Sequence, residues 1–142
     1  PGHLLAIMRN ANHSKPAALC FSESRDGGLT WTTPKATNLT TGMFAPGQIF
    51  LQGTNRTLTV LYPDRRMTSV SAAKTDDPAR LAWKVDSRLL CYFYNADQSR
   101  ILDGSYAVSA PTGPHQRLVV DYEIRPTSKR ITGYFVDFPE DW

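Results

Sequence analysis

The chain has 142 residues, about the size of one small domain, and 41% of them are hydrophobic, so it can bury a core. Its net charge of +3 is mild, and its densest basic clusters are pairs such as Arg65-Arg66, which argues against a nucleic-acid-binding arm. No apolar run approaches the ~20 residues that a transmembrane helix needs, so we expect no membrane span.

Short runs of Val, Thr, Ile and Tyr, punctuated by Pro and Gly and without a helical period, predict an all-β fold. In chain order, the predicted strands are 3–9, 16–24, 30–37, 48–52, 57–62, 67–74, 82–90, 105–109, 117–124 and 129–138. The first has apolar residues on both faces, which suits a sheet between neighbouring sheets. In the strand 117–124, Leu118, Val120 and Tyr122 alternate with Val119 and Asp121, as expected of a strand with one more polar face.

A tight turn is predicted at Ser24-Arg25-Asp26-Gly27-Gly28-Leu29-Thr30-Trp31. The Asp26 carboxylate can accept hydrogen bonds from backbone N–H groups further along the turn, and Gly27 and Gly28 can adopt the positive φ that such a turn needs. Trp31 has a large apolar area, and we expect it to anchor the turn against a core.

This octet matches Ser-x-Asp-x-Gly-x-Thr-Trp at every fixed position and resembles the Asp-box of sialidases and related six-bladed β-propellers. A degenerate copy at 76–83 keeps Asp77 and Trp83 but lacks the glycines and the threonine. The segments 3–9, 57–63 and 117–123 look like equivalent strands that recur at the spacing of long propeller blades.

The resemblance implies the C-terminal part of a sialidase-like propeller, with about two and a half four-stranded antiparallel blades, because a whole propeller needs at least about four blades. The expected divisions are 1–42 with the Asp-box, 43–100 with its degenerate copy, and 101–142, which lacks an outer strand. The remaining blades would come from elsewhere in a longer protein or from further copies of the chain.

The resemblance also implies a substrate site. Leu5-Ala6-Ile7-Met8-Arg9-Asn10 is similar to the sialidase segment that carries one of three arginines for the substrate carboxylate, which a guanidinium grips through two parallel hydrogen bonds. Arg66, or else Arg65, occupies a place similar to the next of these arginines. The alternatives are an exposed arginine at a strand end for Arg9 and a basic hairpin loop for the other two.

Sialidases also carry a tyrosine nucleophile, which a glutamate activates because a tyrosine hydroxyl has a pKa near ~10. The resemblance places Asp103 at that position and Tyr106 three residues later, so both are candidate catalytic residues. Asp103 is alternatively a simple turn residue. Glu123, on one strand face with Asp121, is a candidate contact to sugar hydroxyls or else part of a cross-strand ionic ladder.

These expectations describe part of a sialidase-like glycoside hydrolase for terminal sugars, acidic ones above all. This stretch alone would be catalytically incomplete, because the family's first arginine, acid aspartate and activating glutamate come from other blades. The alternative is a non-catalytic carbohydrate-binding or scaffold module, which could close a ring by oligomerisation. The expected partners are a glycan or sugar and further blades or copies; no cofactor, metal or nucleic acid is predicted, since the histidines lack ligand spacing.

Two further patterns concern cysteines and glycosylation. Cys20 and Cys91 lie in apolar strand-like contexts, so we expect buried free thiols rather than a disulfide. Sequons at Asn12, Asn38 and Asn55 permit a secreted or extracytoplasmic location and weakly favour it.

Overall fold

The computed structural model describes residues 2–10, 18–40, 46–64, 69–92, 103–104, 106–124, 126–139 and 141–142, with only the backbone described at 64, 69, 86–92, 103–104 and 123. Within these ranges the chain is all-β, as predicted, because eleven strands and no helix are present. The same part of the chain therefore contains no helix with the length and apolarity to cross a membrane.

The strands form three antiparallel sheets that follow one another along the chain. Sheet A contains β1 (Leu4–Met8), β2 (Ala18–Ser24) and β3 (Lys35–Thr40). Sheet B contains β4 (Gln48–Gln52), β5 (Thr57–Asp64), β6 (Ser69–Thr75) and β7 (Lys84–Tyr92). In sheet C, β8 (Asp103–Gly104) and β9 (Val108–Pro111) both pair with β10 (Gln116–Ile124), which also pairs with β11 (Lys129–Asp137). The three similar segments form β1, β5 and β10, and each pairs with the strand that follows it.

Sheet B lies between sheets A and C and buries both of its faces. The core between A and B has as its buried members Leu19, Leu39, Val60, Tyr62, Ala73 and Trp83. The core between B and C has as its buried members Leu61, Val70, Ala72, Val119, Val136, Phe138 and Trp142. Val60 and Leu61 are neighbours in β5 but enter different cores, because successive side chains of a strand point to opposite faces.

The predicted turn 24–31 connects β2 to β3 and is held by its own side chains. The Ser24 hydroxyl donates to Asp26 Oδ1 at 2.7 Å and accepts from the Gly28 N–H at 2.8 Å. The Thr30 hydroxyl and N–H both donate to the Asp26 carboxylate, at 2.6 and 2.9 Å. These bonds hold the pKa of Asp26 well below its usual range, and the bond from the Thr30 hydroxyl has the largest effect. Gly27 and Gly28 adopt φ of 76° and 98°, as the turn requires.

Two expectations about this region were wrong. Trp31 does not anchor the turn in a core: its side chain is 45% exposed, and its indole N–H donates to the Gly28 carbonyl at 3.1 Å. The strand expected from residue 30 begins only at Lys35. The backbone before it meets β2 at Thr32, whose N–H donates to the Glu23 carbonyl at 2.9 Å and whose carbonyl accepts from the Ser22 hydroxyl at 2.7 Å.

The degenerate turn at 76–83 is also held by an aspartate, but through backbone N–H groups. The Asp77 carboxylate accepts from the N–H groups of Ala79, Leu81 and Ala82, each at 2.9 Å. The Trp83 indole N–H donates to the Arg80 carbonyl at 2.9 Å. This bond corresponds to that of Trp31, whose indole donates to the carbonyl three residues earlier in the first turn. Arg80 has a φ of 54°, so it takes the left-handed conformation that glycine takes at Gly28. Unlike Trp31, Trp83 is buried.

Asn38 connects sheet A to the turn of sheet B. Its Nδ2 donates to the Trp83 carbonyl at 2.9 Å, and its Oδ1 accepts from the Trp83 N–H at 2.8 Å. The side-chain amide of Asn38, which is the sequon asparagine, therefore makes hydrogen bonds between the two sheets. Asn55 is exposed in the turn between β4 and β5, and Asn12 lies outside the described residues. Cys20 is a free thiol, as expected, but it is only half-buried.

Candidate functional site

Sheets A and B both have their tight turns at one end of the molecule. In sheet A, Ser24 pairs with Leu4, so the turn 24–31 lies where β1 begins, whereas Arg9 follows the end of β1. In sheet B, Thr75 pairs with Leu58, so the turn 76–83, which follows Thr75, lies near the start of β5. We refer to the end of sheet A that carries Arg9 as the Arg9 end.

At the Arg9 end, the residue that follows β1 contacts a residue that precedes β9 of sheet C. Arg9 Nη1 donates to the Tyr106 hydroxyl at 3.5 Å, although the two residues are 97 positions apart. This distance is at the long limit of a hydrogen bond. Both side chains are exposed, Tyr106 by 37%. The contact therefore joins the segment that follows β1 to the segment between β8 and β9.

Tyr106 is supported from sheet C by Tyr122, whose role was missed from the sequence. The two rings stack with centroids 5.9 Å apart and an interplanar angle of 23°. Such a stack contributes about 0.5–1.5 kcal/mol beyond burial and restricts the ring. The sequence indicates the pairing of Tyr106 with Tyr122 only once the strand register is known. Val108 pairs with Val120, so a register extended by two places puts Tyr106 opposite Tyr122 on one face.

The remaining candidate residues are placed less completely. Asp103 pairs with Ile124, and Glu123 pairs with Gly104, so the backbones of Asp103 and Glu123 lie in adjacent strands at the end of β10. Asp103 is therefore in a paired strand. Nothing is described of these two side chains, and Arg65 and Arg66 lie outside the described residues. The structure thus brings together Arg9 and Tyr106 among the predicted site residues.

A polar cluster between sheets B and C holds β9, which follows Tyr106. Gln48 Oε1 accepts from the Ser109 N–H at 2.6 Å, and Arg117 Nε donates to the Ser109 hydroxyl at 3.0 Å. The Arg117 guanidinium also lies 3.8 Å above the ring of Phe50. Its burial lowers the pKa of Arg117, and the ring face and the hydrogen bonds offset part of the cost of burying the cation. The cluster thereby helps to position the strand that carries Tyr106.

The described part of the site offers a cation and two aromatic rings. An exposed guanidinium can bind an anionic group through parallel hydrogen bonds, and the tyrosines supply apolar faces and hydroxyls beside it. In the ranges given above, no group of three or more His, Cys, Asp and Glu side chains is placed to hold a metal ion. The arrangement is suited to a small organic anion that also has hydroxyl groups.

No protein-family model matches the chain, and no curated protein or solved structure is significantly similar to it. By its fold and site, the chain is an all-β protein of three stacked antiparallel sheets, with an exposed Arg9–Tyr106 pair that joins the segment after β1 to the segment before β9.

Proposed function

We propose that the chain is part of a sialidase-like glycoside hydrolase that removes terminal acidic sugars from glycans. The observation that carries the proposal is the contact between Arg9 and Tyr106 at the end of sheet A away from the turn 24–31. The three stacked sheets would then be blades of a partial six-bladed propeller. The remaining blades, or further copies of the chain, would complete the site.

In this proposal Arg9 binds the carboxylate of the sugar. Arginine suits this role because its planar guanidinium presents two parallel N–H donors to the two carboxylate oxygens. Arg9 follows a strand that is packed into sheet A, so its position is set by the sheet while its charge remains exposed. Arg66, or else Arg65, would supply a second cation for the same carboxylate.

Tyr106 is the proposed nucleophile. Its oxygen would form a bond to the anomeric carbon as the bond to the leaving sugar breaks, and water would then cleave the glycosyl-tyrosine intermediate. The stack on Tyr122 would hold the attacking oxygen close to Arg9 and so close to the bound carboxylate. The acid that protonates the leaving group and the base that activates the tyrosine would come from outside this stretch. Asp103 is the alternative nucleophile or base, and Glu123 would contact sugar hydroxyls.

The proposal is tested first by binding. Isothermal titration of the full chain with a methyl sialoside is compared with titration of a neutral methyl glycoside that lacks the carboxylate. The Arg9→Ala variant loses charged hydrogen bonds worth about 1.5–3 kcal/mol, so it should bind the sialoside roughly 10- to 150-fold more weakly. The Arg9→Lys variant should recover only part of the lost affinity, because lysine cannot bind a carboxylate bidentately.

The matched control is Arg25→Ala, since Arg25 is also an exposed arginine but lies in the turn at the opposite end of sheet A. It should bind the sialoside like the unsubstituted chain. Equal affinities for Arg9→Ala and Arg25→Ala, or no preference for the carboxylated sugar, would show that the site is assigned wrongly.

Turnover is tested with a fluorogenic sialoside. Tyr106→Phe keeps the ring that stacks on Tyr122 but removes the hydroxyl, so it should abolish hydrolysis while binding remains. Binding without hydrolysis by the unsubstituted chain, alone and in the assembled protein, would favour the alternative of a non-catalytic carbohydrate-binding or scaffold module.

A further inference from the structure

The sequon Asn55-Arg56-Thr57 lies where β4 turns back into β5. The Arg56 N–H donates to the Gly53 carbonyl at 3.2 Å, and Gly53 and Arg56 adopt φ of 71° and 52°, so residues 53–56 form a tight turn. Asn55 is exposed, as are its neighbours Thr54 and Arg56. Within the described ranges its side-chain amide makes no hydrogen bond. The amide nitrogen of Asn55 can therefore be substituted without the loss of a contact in the fold.

Asn55 also borders an open, polar cleft beside the start of β5 and the end of β6. The cleft has a volume of about 190 Å³, and its lining includes the polar side chains of Thr57, Lys74, Asp76 and Lys84. A sugar attached to Asn55 would have free space on this side, with charged and hydroxyl groups within reach of its own hydroxyls. Bulky, hydrated glycans belong at surface positions of this kind.

Asn38, the other sequon asparagine that the structure describes, has an engaged amide. Its Oδ1 accepts from the Trp83 N–H at 2.8 Å, and its Nδ2 donates to the Trp83 carbonyl at 2.9 Å. Because both atoms face the backbone of one residue, the hydrogen that Nδ2 donates is the one on the same side of the amide as Oδ1.

An N-linked sugar on Asn38 would take the position of that hydrogen. The trans form of a substituted amide puts the substituent on the side of the carbonyl oxygen, and the cis form is strongly disfavoured. The sugar would therefore lie where the Trp83 carbonyl lies, and the connection between sheets A and B would break. The fold accommodates a glycan on Asn55 and not on Asn38.

We infer that Asn55 is an N-glycosylation site of this protein, whereas Asn38 in the folded protein is not. The donor is an oligosaccharide carried on a lipid diphosphate. Asn55 Nδ2 forms a bond to the anomeric carbon of the oligosaccharide as the bond from that carbon to the diphosphate oxygen breaks. The lipid diphosphate leaves, and the amide nitrogen gives up one proton. Transfer takes place where an oligosaccharyl transferase meets the chain during export.

The modification is mapped on the full chain after it is directed into the secretory pathway of a eukaryotic host cell. The soluble, folded fraction is purified from medium and cells alike, and circular dichroism verifies its strand content. Treatment with an N-glycosidase in water labelled with heavy oxygen converts each glycosylated asparagine into a labelled aspartate. Mass spectrometry of the peptides then identifies each sequon separately. Asn55 should carry the label in most copies, and Asn38 in few or none.

Two variants each destroy one sequon and serve as a matched pair. Asn55→Gln keeps a side-chain amide in the turn but should remove the mass of one glycan. Thr40→Ala destroys the sequon of Asn38 and leaves its amide in place, so the glycan mass should not change. Thr57→Ser keeps both the sequon and the hydroxyl that donates to the Trp142 carbonyl, so it should retain the glycan.

An unlabelled Asn55 in the folded fraction overturns the inference, and so does an Asn38 labelled to a similar extent. A loss of glycan mass in Thr40→Ala has the same meaning, because a sugar on Asn38 would then be compatible with the fold. Release of the Asn55 glycan should need no denaturant, since the turn is exposed.

These outcomes are separate from those for the proposed function. Asn55 precedes β5 at the end of sheet B that carries the turn 76–83, whereas Arg9 lies at the end of sheet A away from the turn 24–31. A glycan on Asn55 without sialoside binding would contradict the proposed function alone. Sialoside binding by a chain whose Asn55 stays unmodified would contradict the glycosylation of Asn55 alone.

Discussion

Replacing Trp142 by alanine tests how sheets B and C are held together. The indole is 3% exposed and meets the ring of Phe138 edge-on, with the centroids 5.3 Å apart. Its N–H donates to the Thr59 hydroxyl of sheet B at 2.8 Å, and Lys74 Nζ lies 4.9 Å from the ring centroid. Trp142→Ala therefore removes a large side chain from the core and a buried hydrogen bond at the same time.

The expected loss follows from these contacts. Truncating a buried Trp to Ala costs about 3–5 kcal/mol, of which the hydrogen bond accounts for about 0.5–1.5 kcal/mol. A domain of ordinary stability has only about 5–15 kcal/mol in total, so the loss is a large fraction of it. Trp142→Phe keeps an aromatic ring in the core and should cost roughly half as much or less.

The assay is urea unfolding followed by far-UV circular dichroism, which does not depend on the tryptophan that is removed. With an m-value of about 2 kcal/mol/M, Trp142→Ala should lower the midpoint by about 1.5–2.5 M. Trp31→Ala is the matched control. Its ring is 45% exposed over a turn, so its midpoint should change much less. Similar midpoints for the two alanine variants would refute the placement of Trp142 between sheets B and C.

Two further predictions concern the turn 24–31. Gly28→Ala should destabilise the protein by about 1–3 kcal/mol in thermal unfolding, because φ is 98° and the new Cβ would lie 3.3 Å from Leu4 Cδ1. Gly113→Ala, whose Cβ would meet nothing closer than 3.9 Å, should change little. The folded state lowers the pKa of Asp26 below its ordinary 3.8, so its stabilisation is complete above that pH and is lost as the pH falls further. The melting temperature of Asp26→Asn should accordingly depend less on acid, and an unchanged dependence would contradict this account.

The sequence by itself determined the strands and the turns. Short runs of Val, Thr, Ile and Tyr with intervening Pro and Gly predict an all-β chain, and all ten predicted strands overlap observed ones. The turn 24–31 was also predictable, because Asp26 bonds with groups only two to four residues away. The strand expected from residue 30 was misplaced because strand composition does not reveal where the register with β2 begins, which the structure places at Lys35 opposite Phe21.

Only the tertiary structure decided which side chains enter a core and which meet in a site. Trp31 and Trp83 occupy similar turns, yet of the two only Trp83 is buried, because it packs against residues of sheet A. Arg9 could be proposed from its own segment, but its contact with Tyr106 spans 97 positions and depends on how three sheets stack. Hydrogen bonds within a turn are set by residues that are near in sequence, whereas burial and the meeting of distant side chains depend on register and on sheet packing.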